Sequence, residues 1–86
     1  MLKFYSPNAR KMLDILLKFS FENKKEVKLS ILEKYLGWNM EKVIKIAKEI
    51  TNIPELIYLN RERLKNKRIV KFNLKNDSIL IEDYEL

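Results

Sequence analysis

The chain holds a single glycine among 86 residues, Gly37, and it separates two stretches whose apolar residues recur at helical spacing. A helix C-terminus favours a left-handed residue, and glycine takes that conformation without steric cost, so Gly37 predicts the end of one helix. Before it, Ser30-Ile31-Leu32-Glu33 has the form of a capping box. In that motif the Ser hydroxyl takes the N–H at Glu33 and the Glu side chain returns to the N–H of Ser30. This predicts a short helix from Ile31 to Leu36 with Ile31, Leu32, Tyr35 and Leu36 on one face. After Gly37 and Trp38, Asn39 can cap a longer helix. Its stripe is Met40, Val43, Ile44, Ala47 and Ile50, which leaves Glu41, Lys42, Lys45, Glu49 and Asn52 facing outward.

The flanking segments give further elements. Ser6-Pro7 reads as an N-cap followed by the helix position where proline is favoured, and Ala9, Met12, Leu13, Leu16, Leu17 and Ser20 keep three-and-four spacing to about Phe21. Glu22 to Glu26 has no periodicity and reads as a loop, followed by a very short extended segment at Val27, Lys28 and Leu29. Near the end, Val70, Phe72 and Leu74 alternate with Lys71 and Asn73, then Ile79, Ile81 and Asp83 alternate with Leu80 and Glu82. Lys75-Asn76-Asp77-Ser78 forms the turn between them, which predicts a closing hairpin. Residues 54–67 fit a strand at Leu56 to Leu59 plus a charged loop better than a fourth helix, because their apolar residues wrap all sides. A proline-started helix stays open as the alternative.

Residue types that are missing exclude whole classes of chemistry. With no His and no Cys the chain has no disulfide, no thiolate nucleophile, no Cys/His zinc site and no imidazole base, so it reads as a non-enzyme. One glycine cannot build a phosphate-cradling loop, and no small-molecule cofactor is expected. Apolar runs such as Ile15-Leu16-Leu17 are far shorter than the roughly 18–20 residues of a membrane span. With no signal peptide in view, the expected compartment is the cytoplasm, or the host cytoplasm for a viral protein. No linker, repeat or low-complexity stretch divides residues 1–86, so one domain is expected.

A capped short helix, a glycine turn and a longer amphipathic helix, preceded by another helix and followed by hairpins, resembles a winged helix-turn-helix domain. The likeness lies at the level of the fold and selects no particular family within it. It rests on Ser30 to Asn39 followed by Met40 to Asn52 and spans nearly the whole chain. It implies an α+β fold in which a three-helix core is followed by an antiparallel β-hairpin wing, and a DNA-binding protein that regulates transcription. The second helix of the pair would lie in the major groove of double-stranded DNA. A homodimer seamed by the first helix or by Leu2, Phe4 and Tyr5 would complete two half-sites, with a monomer as the alternative. The absence of Gln, a single Thr and abundant Lys, Ile and Glu resemble small proteins of thermophilic archaea or their viruses, against which stand eight Asn.

Charge supports the nucleic-acid expectation. The chain carries +6, and residues 61–75 alone hold seven positive residues against Glu62, while residues 76–86 hold four negative ones and none positive. The expected DNA contacts are Lys42, Lys45, Lys48 and Asn52 on the third helix, with Arg61, Arg63, Lys65, Lys67 and Arg68 in the basic run. Asn suits adenine, Lys suits guanine, and Arg forks suit phosphate. Simpler accounts compete with each. Lysines balanced by Glu41 and Glu49 can be an ordinary solvated face, and a charge run can be an ordinary solvated loop. Trp38 reads first as a packing plug, and Tyr58 and Tyr84 as sheet aromatics. The acidic Glu82, Asp83 and Glu85 read as a solvated tail that binds no metal. From a different class, the same fold could serve as a protein-interaction adaptor, with the glutamates of the third helix and the acidic C-terminus as its features. RNA binding through Tyr58 and Phe72 is weaker, since Phe72 falls on the expected core side.

Overall fold

In a computed structural model of the chain, which describes residues 6–53, 56–59 and 67–85, the Ser6-Pro7 signal starts a helix as its chemistry requires. The Ser6 hydroxyl accepts the N–H of Ala9 at 3.1 Å, and α1 runs Pro7–Phe21 with Ala9, Met12, Leu13, Leu16 and Ser20 buried. A short strand, β1 (Glu26–Lys28), leads directly into α2 (Leu29–Leu36). Gly37 closes α2 in the left-handed conformation at φ 68°, its N–H donating to the Glu33 carbonyl at 2.8 Å. Asn39 then caps α3 (Met40–Thr51), its side-chain oxygen accepting the N–H of Lys42 at 2.9 Å.

The rest of the described chain is sheet. Strand β2 (Leu56–Leu59), β3 (Lys67–Lys75) and β4 (Ser78–Glu85) follow α3, and β1 joins them in the antiparallel order β1-β4-β3-β2. Residues 56–59 are therefore strand, as preferred over a helix. The closing hairpin forms with Lys75 and Ser78 as register partners, and Asn76 takes the positive φ, 56°, that the turn demands. The layout is α+β, three helices and an antiparallel sheet, compatible with a winged helix.

The core lies where the helices cover one face of the sheet. Val70 and Phe72 from β3, Ile79 and Ile81 from β4 and Val27 from β1 meet Met12, Leu13 and Leu16 of α1, Leu29 and Leu32 of α2, and Val43, Ile46, Ala47 and Ile50 of α3. Phe72 is the largest side chain in it, and its burial contributes about 1.5–3 kcal/mol. On α3 the buried stripe includes Ile46, while Ile44 and Met40 are half-buried at its edges, which corrects the stripe expected from spacing. Both sets satisfy helical periodicity. What turns α3 toward Ile46 is its packing against α1, α2 and β3 together.

The capping box does not form. Helix α2 starts two residues earlier than expected, at Leu29, and its N-cap is Lys28, which makes no side-chain cap. The sheet supplies the cap instead: the Leu29 N–H, one of the donors a helix start leaves orphaned, donates to the Asp77 carbonyl at 2.8 Å. Burial of Leu29 favours the earlier start as well. Ser30→Ala is consequently expected to change stability by less than about 0.5 kcal/mol, as at an ordinary exposed site. Asn39→Ala, which removes a made cap, is expected to cost about 1 kcal/mol. Paired urea titrations of the two variants check the ordering, and a larger loss at Ser30 would restore the capping box.

Candidate nucleic-acid interface

The exposed face of α3 is built by the residues left over from core packing. Glu41, Lys45, Lys48, Glu49 and Asn52 are all exposed, with Asn52 as the C-cap residue. Lys45, Lys48 and Asn52 follow three-and-four spacing and so share a line along the helix. Lys42 differs from the expectation of a fully outward side chain. It is half-buried, and its ammonium lies 4.5 Å from the centroid of the Trp38 ring. Trp38 in turn packs against the core, so the plug reading of this residue holds and its ring face holds Lys42 in place. Of the two acidic residues on α3, Glu49 accepts a hydrogen bond from the Ser6 hydroxyl at 3.0 Å, which draws its carboxylate toward α1. Beside the N-terminal end of α3, Asn8, Asn39, Glu41, Lys42, Lys45 and Ile46 line an open groove of about 530 Å³.

The basic run divides into parts with different surroundings. Arg61, Arg63 and Lys65 lie outside the described residues, and Lys67 begins β3. Leu59 and Lys67 are register partners, so β2 ends where β3 begins, at one end of the sheet. Arg68 is in phase with the buried Val70 and Phe72. Its Nε donates to the Asp83 carboxylate at 2.8 Å, so this guanidinium is engaged in an ion pair and stands apart from the other expected contacts. Asp83 also accepts the hydroxyl of the buried Ser20 from α1. The reading of Asp83 as solvated tail is thereby corrected: its side chain is 5% exposed, on the same inward face as Ile79 and Ile81. Lys71 faces the other way, opposite Glu82, and Asn73 donates to Glu82 at 3.1 Å.

At the opposite end of β3 the fold brings together two lysines that are 47 positions apart. Ser78 is the register partner of Lys28 on one side and of Lys75 on the other, and both lysines are exposed while Ser78 is buried between them. This pair adjoins the N-terminus of α2, where Asp77 caps Leu29. Nothing in the sequence marks Lys28, because its place depends on β1 pairing with a strand fifty residues later. The ends of β3, Lys67 and Lys75, are about 26 Å apart at roughly 3.3 Å per residue.

Among the described residues no helix is long and apolar enough to cross a membrane. The described residues define an α+β domain of three helices on an antiparallel sheet, in which α3, joined to α2 through Gly37, Trp38 and Asn39, bears an exposed line of lysines. The chain matches no protein-family model, no curated protein and no solved structure.

Proposed function

We propose that this chain is a winged-helix protein that binds double-stranded DNA as a transcriptional regulator and has no catalytic role. The observation that carries the reading is the line of Lys45, Lys48 and Asn52 on the exposed face of α3, the second helix of a pair hinged at Gly37. These are donors suited to base edges and phosphates, on an element whose opposite face is fully committed to the core. In this reading Lys42, the basic run with Arg61, Arg63, Lys65 and Lys67, and the Lys28–Lys75 pair supply phosphate contacts on a chain of net charge +6. Arg68 serves the fold through Asp83 and is left out of that set.

The test is a salt series of binding to random duplex DNA followed by anisotropy. Each phosphate contact contributes about 0.9 to the slope of log affinity against log salt. In the same assay, Lys45→Ala is expected to weaken a selected site by about 1–3 kcal/mol more than it weakens random DNA. Equal losses on both would make Lys45 a phosphate contact and remove it from readout. A second reading, the protein-interaction adaptor, is favoured by Glu41 and Glu49 on the same face of α3. No binding at low salt decides for it.

A further inference from the structure

Strand β1 ends the sheet order, and no described strand lies on its outer side. The Lys25 carbonyl accepts from the Ile81 N–H and the Leu29 N–H donates to the Asp77 carbonyl, each at 2.8 Å. Main-chain groups alternate along a strand, so those of Val27 also point to β4, while the N–H and C=O of Glu26 and the N–H of Lys28 point outward; the Lys28 carbonyl, at the N-cap, opens the ladder of α2. Against this edge lies a groove of about 420 Å³ lined by the apolar Phe19, Ile31 and Tyr35 and the charged Lys24, Glu26 and Lys34. Phe19 and Tyr35 meet edge to face with ring centroids 5.4 Å apart, and Tyr35 stays 59% exposed and Ile31 40%. An open strand edge beside exposed apolar side chains is a surface that proteins ordinarily cover.

We propose that the occupant is a second copy of this chain, whose own β1 pairs antiparallel with this one about a two-fold axis at Val27. The sequence Glu26-Val27-Lys28 is complementary to itself in that arrangement: Glu26 of each copy stands opposite Lys28 of the other, so the charge match occurs twice. The hydrogen-bond phase selects the same register. The Lys28 N–H of each copy donates to the Glu26 carbonyl of the other, one main-chain bond on either side of the axis, while Val27 meets Val27 in the non-bonded position. A slip of two residues sets Glu26 against Glu26 or Lys28 against Lys28, and a slip of one breaks the bonding phase. The result is one continuous sheet across the axis, with Ile31 and Tyr35 of the two copies closing over it. This seam differs from the first helix or the N-terminal Leu2, Phe4 and Tyr5, of which the last three lie outside the described residues. Three residues of strand make a small interface, so the dimer is weak, with a dissociation constant on the order of tens of micromolar.

Sedimentation velocity on the full chain, over a range from about 10 to 500 µM, reads the association directly. Glu26 and Lys28 are exposed, so reversing either leaves the fold intact, which circular dichroism verifies. Glu26→Lys alone sets Lys against Lys, and Lys28→Glu alone sets Glu against Glu. Each is expected to raise the dissociation constant at least about tenfold. Mixing the two variants restores opposite charges at both positions, so a heterodimer of parental affinity is expected. A parent chain that stays monomeric throughout, single variants that dimerise like the parent, or a mixture that gains nothing over its components would each overturn the proposal.

Discussion

Asp83→Ala is expected to lower stability by about 2–3 kcal/mol, the largest loss expected from any polar side chain among the described residues. Its carboxylate ties together different parts of the fold, accepting from the Arg68 Nε at 2.8 Å on β3 and from the Ser20 hydroxyl on α1. Hydrogen bonds to a charged group contribute about 1.5–3 kcal/mol, and truncating one member of a buried pair leaves the other's charge poorly solvated, at about 3–5 kcal/mol. The Arg68 side chain is 21% exposed, so water relieves part of that cost and the expected value falls toward the lower range. Asp83→Asn, which keeps an acceptor for Ser20 but not the ion pair, is expected to fall between alanine and the parent. The control is the neighbouring Glu82→Ala, an exposed site expected to stay within about 0.5 kcal/mol. Urea unfolding of the three variants checks the order. Equal small losses at positions 82 and 83 would return Asp83 to the solvent.

How much of this was legible in the sequence follows from the range over which each feature is decided. Ser6, Gly37 and Asn39 act on backbone groups within four residues, and all three do what their residue types announce. Strand alternation at Val70, Phe72, Ile79 and Ile81 is likewise local, since the pleat alone sets which side chains share a face. The misplaced start of α2 fails for the converse reason. Ser30 and Glu33 are chemically able to cap a helix, but the Asp77 carbonyl arrives from the β3–β4 turn and satisfies Leu29 first. Asp83 was hidden in the same way, because a carboxylate near a chain end looks solvated until Ser20 and Arg68 are brought to it. Its alternation with Ile79 and Ile81 was the one available signal. The third helix shows a narrower ambiguity: Ile44 and Ile46 flank the stripe on opposite sides, and only the neighbours of α3 decide which of them is buried. For the candidate interface, the charge of the basic run was plain and its division was not. Arg68 and Lys71 point to opposite faces of one strand, and Lys28 joins Lys75 only through the sheet.

That division makes the salt dependence of binding a map of which end of the sheet meets the duplex. Replacing Arg61, Arg63, Lys65 and Lys67 with alanine removes up to four phosphate contacts, so the slope of log affinity against log salt is expected to flatten by up to about 3.6. Lys28→Ala with Lys75→Ala, at the end of β3 opposite Lys67, removes two charges and can flatten it by at most about 1.8. The α3 lysines sit on a separate element, so Lys45→Ala and Lys48→Ala contribute their own decrement in either case. With four of the chain's eighteen positive residues, two of them fork-bearing arginines, the 61–67 set is expected to give the larger change. Thermal melts of each variant separate lost contacts from lost fold. If the quadruple variant stays folded and keeps the parental slope while the Lys28 and Lys75 pair flattens it, the duplex lies against the α2 end of the sheet, and the basic run has no part in binding.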